Sequence, residues 1–402
     1  FIILQRWSFF TSILGALATI CFSKLLSKLT FGNTDYYFWF VILSVNFVFA
    51  NLSTSRIALL QGLRMIKPYA ISNVLSSVLI TLITVPIYYF FKFNGIIAVI
   101  LASSFINLLV NFYFTRNIKI DKISLSIVDT FHKGKPLMKM GFLLSINLIF
   151  GQICSYLIKL YLNGNGSSAE ILGLFEVSSV ILISYVGLIF NAMGADFYPR
   201  ITQIQSDNSK VKELVNDQIE MGLLLVTPAI IFMYFSGPII VELLYSNHFL
   251  GVLSIFKAAL FAIILKALIW PLAFVILAKG DNKLYFKQEI ISDIFLLVST
   301  LFFYHFLGLV GIGIASLIQF ILYAFYIIPI LKSKYDFSIR KDTFQIIFVC
   351  IFLGILASTI TFTIDYPNAY YPLGVLLLIF HGNLNSKGYL IKKQYILFYE
   401  SK

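Results

Sequence analysis

Apolar residues in this chain arrive in blocks of about 20, the length an α-helix needs to cross roughly 30 Å of hydrocarbon at about 1.5 Å per residue. Four blocks come first, at 7–26, 37–58, 70–91 and 95–114, followed by a polar stretch at 116–139. The pattern resumes at 140–162, 171–193, 221–244, 252–277, 285–305, 309–331 and 344–363, with a short last block at 371–380. A spanning segment must satisfy its own backbone hydrogen bonds in lipid, and only helices and closed barrels do so. The blocks lack the period-two alternation of barrel strands. The predicted fold class is therefore all-α, a polytopic transmembrane helical bundle with twelve visible spans.

Composition agrees: of 402 residues, 59% are hydrophobic and 12% charged, too little polar surface to cover a soluble globule. The formal charge of +12 does not call for nucleic acid, because the basic residues lie in short stretches between blocks, where topology accounts for them. With residue 1 placed in the cytoplasm, every lysine and arginine falls on that side except Lys24, Lys28, Lys92, Lys159, Lys257 and Lys266. That asymmetry is what the positive-inside rule demands of an even span count in a cytoplasmic-type inner membrane. It places the C-terminal tail, with Lys387, Lys392, Lys393 and Lys402, in the cytoplasm as well.

Several chemistries lack their residues. Cys21, Cys154 and Cys350 sit in separate apolar blocks without paired spacing, and His132, His248, His305 and His381 are far apart in the chain. Disulfides, a metal site, a cofactor and a catalytic cluster are therefore not expected. No GxxxxGK[ST] phosphate loop occurs, which excludes nucleotide hydrolysis by that route. The outer loops, at 163–170, at 245–251 and near Leu307, are too short to hold the acceptor and acid/base groups of a glycan polymerase or ligase.

An internal repeat organises the spans. Residues 61–116, opening QGLRMIKPYAISN, correspond to 278–334, opening AKGDNKLYFKQEIISD. Each copy starts at a basic turn around a glycine, Gly62 or Gly280, and reaches a tight exit turn through aromatics, YYFFKFNGIIAVILAS against TLFFYHFLGLVGIGIAS. Six spans separate the copies, so they share orientation, which describes two parallel-repeat lobes around a central cavity. The expected division is an N-terminal lobe at 1–115, a cytoplasmic connector at 116–139, a C-terminal lobe at 140–332, and two extra helices with a cytoplasmic tail at 333–402. Four helices precede the second copy in its lobe and only two the first. Two more helices are therefore expected ahead of residue 1, for about fourteen spans in the intact protein.

Ionisable side chains inside spans are costly and normally face a bundle interior or cavity. Lys159, Glu176, Lys257, Lys266 and Asp293 qualify. Lys159 and Glu176 flank the outer loop between the fifth and sixth spans, where Lys159 is either an interfacial anchor or a cavity wall. Lys257 and Lys266 are half a turn out of phase on one helix and cannot point the same way. Lys266 and Asp293 occupy the middles of successive antiparallel helices and are expected to pair, either as a structural ion pair or as a switch released by protonation or by an anionic ligand. Ser103, Asn107 and Asn111 recur at i, i+4, i+8 on the fourth span, and Asn46 with Ser53 at i, i+7 on the second. Such stripes serve first as helix-packing contacts; Asn107 and Asn111 are also candidates for lining a sugar path. Residues 210–220, KVKELVNDQIE, have the spacing of a connector helix lying along the cytoplasmic surface.

The QGLRMIKPYAISN turn, the run FEVSSVILISYVGLIFNAMGADFYPRIT, and the basic connector before KMGFLLSINLIF together resemble the bacterial oligosaccharide (O-antigen) flippases of the multidrug/oligosaccharidyl-lipid/polysaccharide exporter superfamily. The resemblance implies two six-helix lobes and alternating access that carries an undecaprenyl-diphosphate-linked sugar unit outward. Cationic cavity residues serve the diphosphate in that superfamily, a role it extends here to Lys159 and Lys266, with Lys257 as a further candidate; Asp293 or Glu176 would carry a coupling proton. The implied partners are the lipid-linked oligosaccharide, the bilayer and other membrane proteins of polysaccharide assembly. A drug or cation antiporter of the same superfamily is the alternative, and it would favour acidic cavity residues over basic ones.

Overall fold

The computed structural model describes residues 1–118, 126–164, 169–365 and 368–386. Among them, ten helical stretches are long and apolar enough to cross a membrane. The stretch at Ile66–Thr115 contains two helices joined by a 3₁₀ turn at Lys92–Gly95, and a shorter apolar helix lies at Tyr370–Phe380. Together these reproduce the blocks of the sequence. The tail lysines and Lys119 and Lys122 lie outside the described residues. The chain divides into two compact units, Phe1–Gly141 and Phe142–Lys402.

The first unit comprises α1 (Ile2–Cys21), α2 (Ser23–Phe31), α3 (Tyr37–Gly62), α4 (Ile66–Phe91), α5 (Ile96–Thr115) and the opening turns of α6 (Ile127–Gly164). The first apolar block is thus broken at Phe22 into two helices. α3 packs against α1 and α5, and α4 packs against α5. The unit is inside-out relative to a soluble core: Ser12, Ser27, Ser44, Ser53, Ser55, Ser72 and Ser76 are buried, whereas Phe9, Leu14, Leu17, Val74, Val78 and Leu82 are exposed. Small residues let helix backbones approach, and large apolar ones face acyl chains. The Ser12, Ser44, Ser55 and Ser72 hydroxyls donate back to carbonyls three residues earlier, so burying them leaves no donor unpaired.

The connector expected at 116–139 is helical from Ile127 onward. Ser126 caps it, its Oγ accepting from the Asp129 N–H at 3.0 Å. Trp7 of α1 donates to the Thr130 carbonyl at 3.2 Å, and its ring lies 4.6 Å from that of Phe131. One turn on, a Cβ at Gly134 would fall 1.8 Å from Trp7 Nε1, so only glycine admits the indole there.

The second unit contains the rest of α6, α7 (Ala169–Ser179), a π-helical turn at Val180–Tyr185, α8 (Gly187–Gln203), α9 (Asn208–Leu244), α10 (Val252–Ala278), α11 (Asn282–Leu307), α12 (Leu309–Tyr335), α13 (Lys341–Thr363) and α14 (Tyr370–Ser386). α10 is its centre, with buried residues around most of its circumference and α9, α12 and α13 packed on it. At the tightest approach a Cβ on Gly313 of α12 would meet the Ile255 carbonyl oxygen of α10 at 2.2 Å. α11 packs mainly on α12. At the turn into α11, Lys334 donates to Asp281 Oδ2, and this bond holds the Asp281 carboxyl below the usual carboxylate range.

Residues 210–220 do not form a separate surface helix. They are the opening turns of α9, whose 37 residues extend roughly 55 Å, well beyond the roughly 30 Å of hydrocarbon. Val211, Leu214, Val215 and Ile219 are buried there, because the segment is covered by the chain entering α13. Arg340 donates to Asp217 Oδ1 at 2.6 Å and to Glu220 Oε1 at 2.7 Å, and Thr343 donates to the same Glu220 oxygen at 2.6 Å. Asn216 adds bonds to the Ser338 carbonyl and the Arg340 N–H.

Glu220 is 1% exposed, so removing its arginine strands a buried carboxylate. Arg340→Ala is expected to cost about 3–5 kcal/mol, read as a lowered melting temperature in detergent, and Arg340→Leu combined with Glu220→Leu is expected to recover much of it. Equal melting temperatures for wild type and Arg340→Ala would show that the network holds nothing in place.

Candidate functional site

Lys266 is one of two charges, with Lys257, on the otherwise apolar helix α10. It lies near the middle of α10, half-buried, with Nζ 5.1 Å from the centroid of the Phe190 ring on α8. Among the described residues no carboxylate lies within ion-pair distance of it. Lys257, earlier on the same helix, places its Nζ 5.6 Å from the Phe362 ring on α13, so the two lysines meet different elements.

The expected pairing of Lys266 with Asp293 does not form. Asp293, on α11, faces α6 instead, where a Cβ on Gly151 would lie 3.2 Å from its Oδ2. The reason is topological: α12 packs against both α10 and α11, and these two successive helices share little surface. Adjacency in sequence is a poor guide to adjacency in a bundle whose neighbours are set by close-packing residues such as Gly313.

Lys159 and Glu176 do meet, their Nζ and Oε1 2.5 Å apart, on side chains 36% and 48% exposed. A pair this open contributes little to stability. Asn111 is 1% exposed and donates to Ser53 Oγ at 3.0 Å, while Ser104 donates to Asn46 Oδ1. These two rungs, i, i+7 on both α3 and α5, join the helices. They place Asn111 in a helix interface; Asn107, half-buried, belongs to neither rung.

A stripe on α11 escaped the sequence-based expectations. Tyr285, Glu289 and Asp293 recur at i, i+4, i+8, one helical face. Glu289 lies in electrostatic range of Asp293 and of Tyr285, and Tyr285 in range of Tyr198 on α8. From α12, the buried Tyr323 lies in electrostatic range of Glu289, and Gln319 donates to Ser292 Oγ at 3.1 Å. The polar run GDNKLYFKQE disguises Glu289 as part of a cytoplasmic turn; the same i, i+4, i+8 test that marks Asn111 would have found it.

Aromatic rings connect the lysine to this stripe. Phe190 lies 5.8 Å from Trp270, Trp270 lies 4.7 Å from Phe274, and Phe274 lies 5.9 Å from Tyr198. The second unit thus carries a cation, an aromatic ladder and a carboxylate pair across α8, α10 and α11. The chemistry of such a set suits an anionic or aromatic-stacking group at one end and a small cation or proton at the other. Among the described residues no group of three or more metal-ligating side chains is present.

The model of the polysaccharide biosynthesis protein family matches residues 6–254. A search of curated proteins finds no significant match. Among solved structures, the chain is similar to a MATE protein in a mutant form, at 14% identity and TM-score 0.71 over 83% of this chain and 77% of that one. It is similar to the lipid II flippase MurJ in an inward closed conformation, at 14% identity and TM-score 0.59 over 96% and 83%. It is also similar to a MOP superfamily transporter from Pyrococcus furiosus, at 14% identity and TM-score 0.63 over 83% and 78%. At these identities the likeness is one of fold, an all-helical transporter architecture, and the chain is a multi-pass membrane protein.

Asn111→Ala is expected to cost on the order of 1 kcal/mol, the scale of an interhelical hydrogen bond in lipid, seen as a small drop in melting temperature with transport intact. Lost transport at unchanged stability would return Asn111 to the substrate path.

Proposed function

This chain belongs to the polysaccharide biosynthesis protein family, and we propose from that premise that it is a flippase. Its substrate is an undecaprenyl-diphosphate-linked oligosaccharide of the O-antigen type, moved by alternating access from the cytoplasmic to the outer leaflet of a bacterial inner membrane, with the C-terminus in the cytoplasm. The observation that carries this reading is Lys266: a half-buried ammonium near the middle of a spanning helix, with no carboxylate beside it among the described residues. Uncompensated charge at that depth is costly and is retained where it meets an anion or water. A sugar diphosphate cannot cross hydrocarbon unaided. A fixed cation lowers its desolvation cost while the prenyl tail stays in lipid.

Lys159 is the weaker candidate, since Glu176 already neutralises it, and Lys257 stands against Phe362 on another side of α10. Coupling to a proton or cation falls to Glu289 and Asp293 on α11. The same carboxylate pair favours a second reading, a cation or drug antiporter, because one helical face with two acids suits a cationic substrate. The fold likeness to a lipid II flippase and the family match support the first.

Lipid-linked intermediates in cells lacking the gene separate the two. Loss of a flippase traps single lipid-linked units on the cytoplasmic side; loss of an antiporter leaves them unaffected. Complementation with Lys266→Ala is expected to insert normally and leave the units trapped, and full rescue by that variant would refute the role. Asp293→Asn with Glu289→Gln is expected to remove the dependence of transport on an imposed ion gradient.

A further inference from the structure

We infer that Trp270 and Lys266, one helical turn apart on α10, form a seat for a glycosyl diphosphate, the indole stacking on the sugar and the ammonium holding the phosphates. This rests on the flippase reading and adds to it the side chain that senses the sugar. Trp270 is half-buried, neither sealed in the core nor fully exposed. Its surroundings are built to fix it. Gly194 of α8 lies beneath it, where a Cβ would come within 3.1 Å of Trp270 Cζ2. Phe190, Phe197 and Phe274 surround the ring at centroid distances of 5.8, 5.9 and 4.7 Å. Phe190 is shared: it also carries the Lys266 ammonium against its ring, which draws the cation to the indole's side of α10.

Among the described residues, neither the Trp270 indole N–H nor the Lys266 ammonium donates a hydrogen bond to a protein acceptor. A rigid amphipathic ring with a spare donor, beside a cation with no carboxylate, matches the two faces of a pyranosyl diphosphate: an apolar C–H surface that stacks on aromatics and an anionic end. Simple core packing explains the phenylalanines but leaves both donors without a purpose.

The test is binding to the purified full chain in lipid nanodiscs, with two probes that share a short prenyl diphosphate, one carrying a single N-acetylhexosamine and one bare. Wild type is expected to bind the glycosylated probe about tenfold more tightly than the bare one. Trp270→Leu is expected to abolish that difference while keeping the affinity for the bare probe, with Trp270→Phe intermediate. Gly194→Ala, whose added methyl would crowd the indole edge at 3.1 Å without removing the ring, is expected to weaken the glycosylated probe alone. Lys266→Met is expected to lose both. If Trp270→Leu and Trp270→Phe leave the sugar preference intact, or if wild type has none, the indole seat is wrong though the flippase reading survives. If wild type binds neither probe, both fall. A melting temperature for each variant separates unfolding from lost binding, and Trp270→Phe, which keeps the ring packing, decides the matter if Trp270→Leu fails to fold.

Discussion

The second unit depends on how closely α10 is gripped. Gly313 brings the α12 backbone against the Ile255 carbonyl, and Gly354 of α13 admits Phe261 and Ile264. Without a hydrophobic driving force between helices in lipid, such close approaches supply much of the association. They also dictate orientation. Once α9, α12 and α13 occupy most of the circumference of α10, the remaining side, toward α8, is where Lys266 and Trp270 are found. The placement of the charge thus follows from where the glycines allow neighbours to come.

Much of the fold was legible in the sequence, because span length is set by bilayer thickness and not by tertiary detail. Each apolar block emerged as helix, and the two stretches matched as a repeat each form a contacting helix pair, α4 with α5 and α11 with α12. Boundaries were harder where the membrane does not set them. α9 runs on through KVKELVNDQIE because Asp207 caps it locally and Arg340 covers its acids, and Arg340 is a partner more than a hundred residues away that no local pattern reveals.

The site was legible only in part. Single charges in apolar surroundings announce themselves, hence Lys266 and Asp293; their partners do not, because α12 intervenes between α10 and α11. Glu289 was masked by neighbouring polar residues, and Trp270 by the apolar run around it, in which one more aromatic carries no signal. What gives Trp270 significance is Gly194 on another helix, a relation that exists only in three dimensions.

The proposed role of Lys266 requires a hydrated interior around its ammonium and not acyl chains. In a chain with Cys21, Cys154 and Cys350 replaced by serine or alanine, a cysteine substituted for Lys266 is predicted to react with a charged, membrane-impermeant thiol reagent. A cysteine substituted for Phe325, which is 76% exposed on α12, is predicted to react only with a lipid-soluble one. If the Lys266 position also reacts solely from the lipid phase, the ammonium has no anion to meet and the account is contradicted.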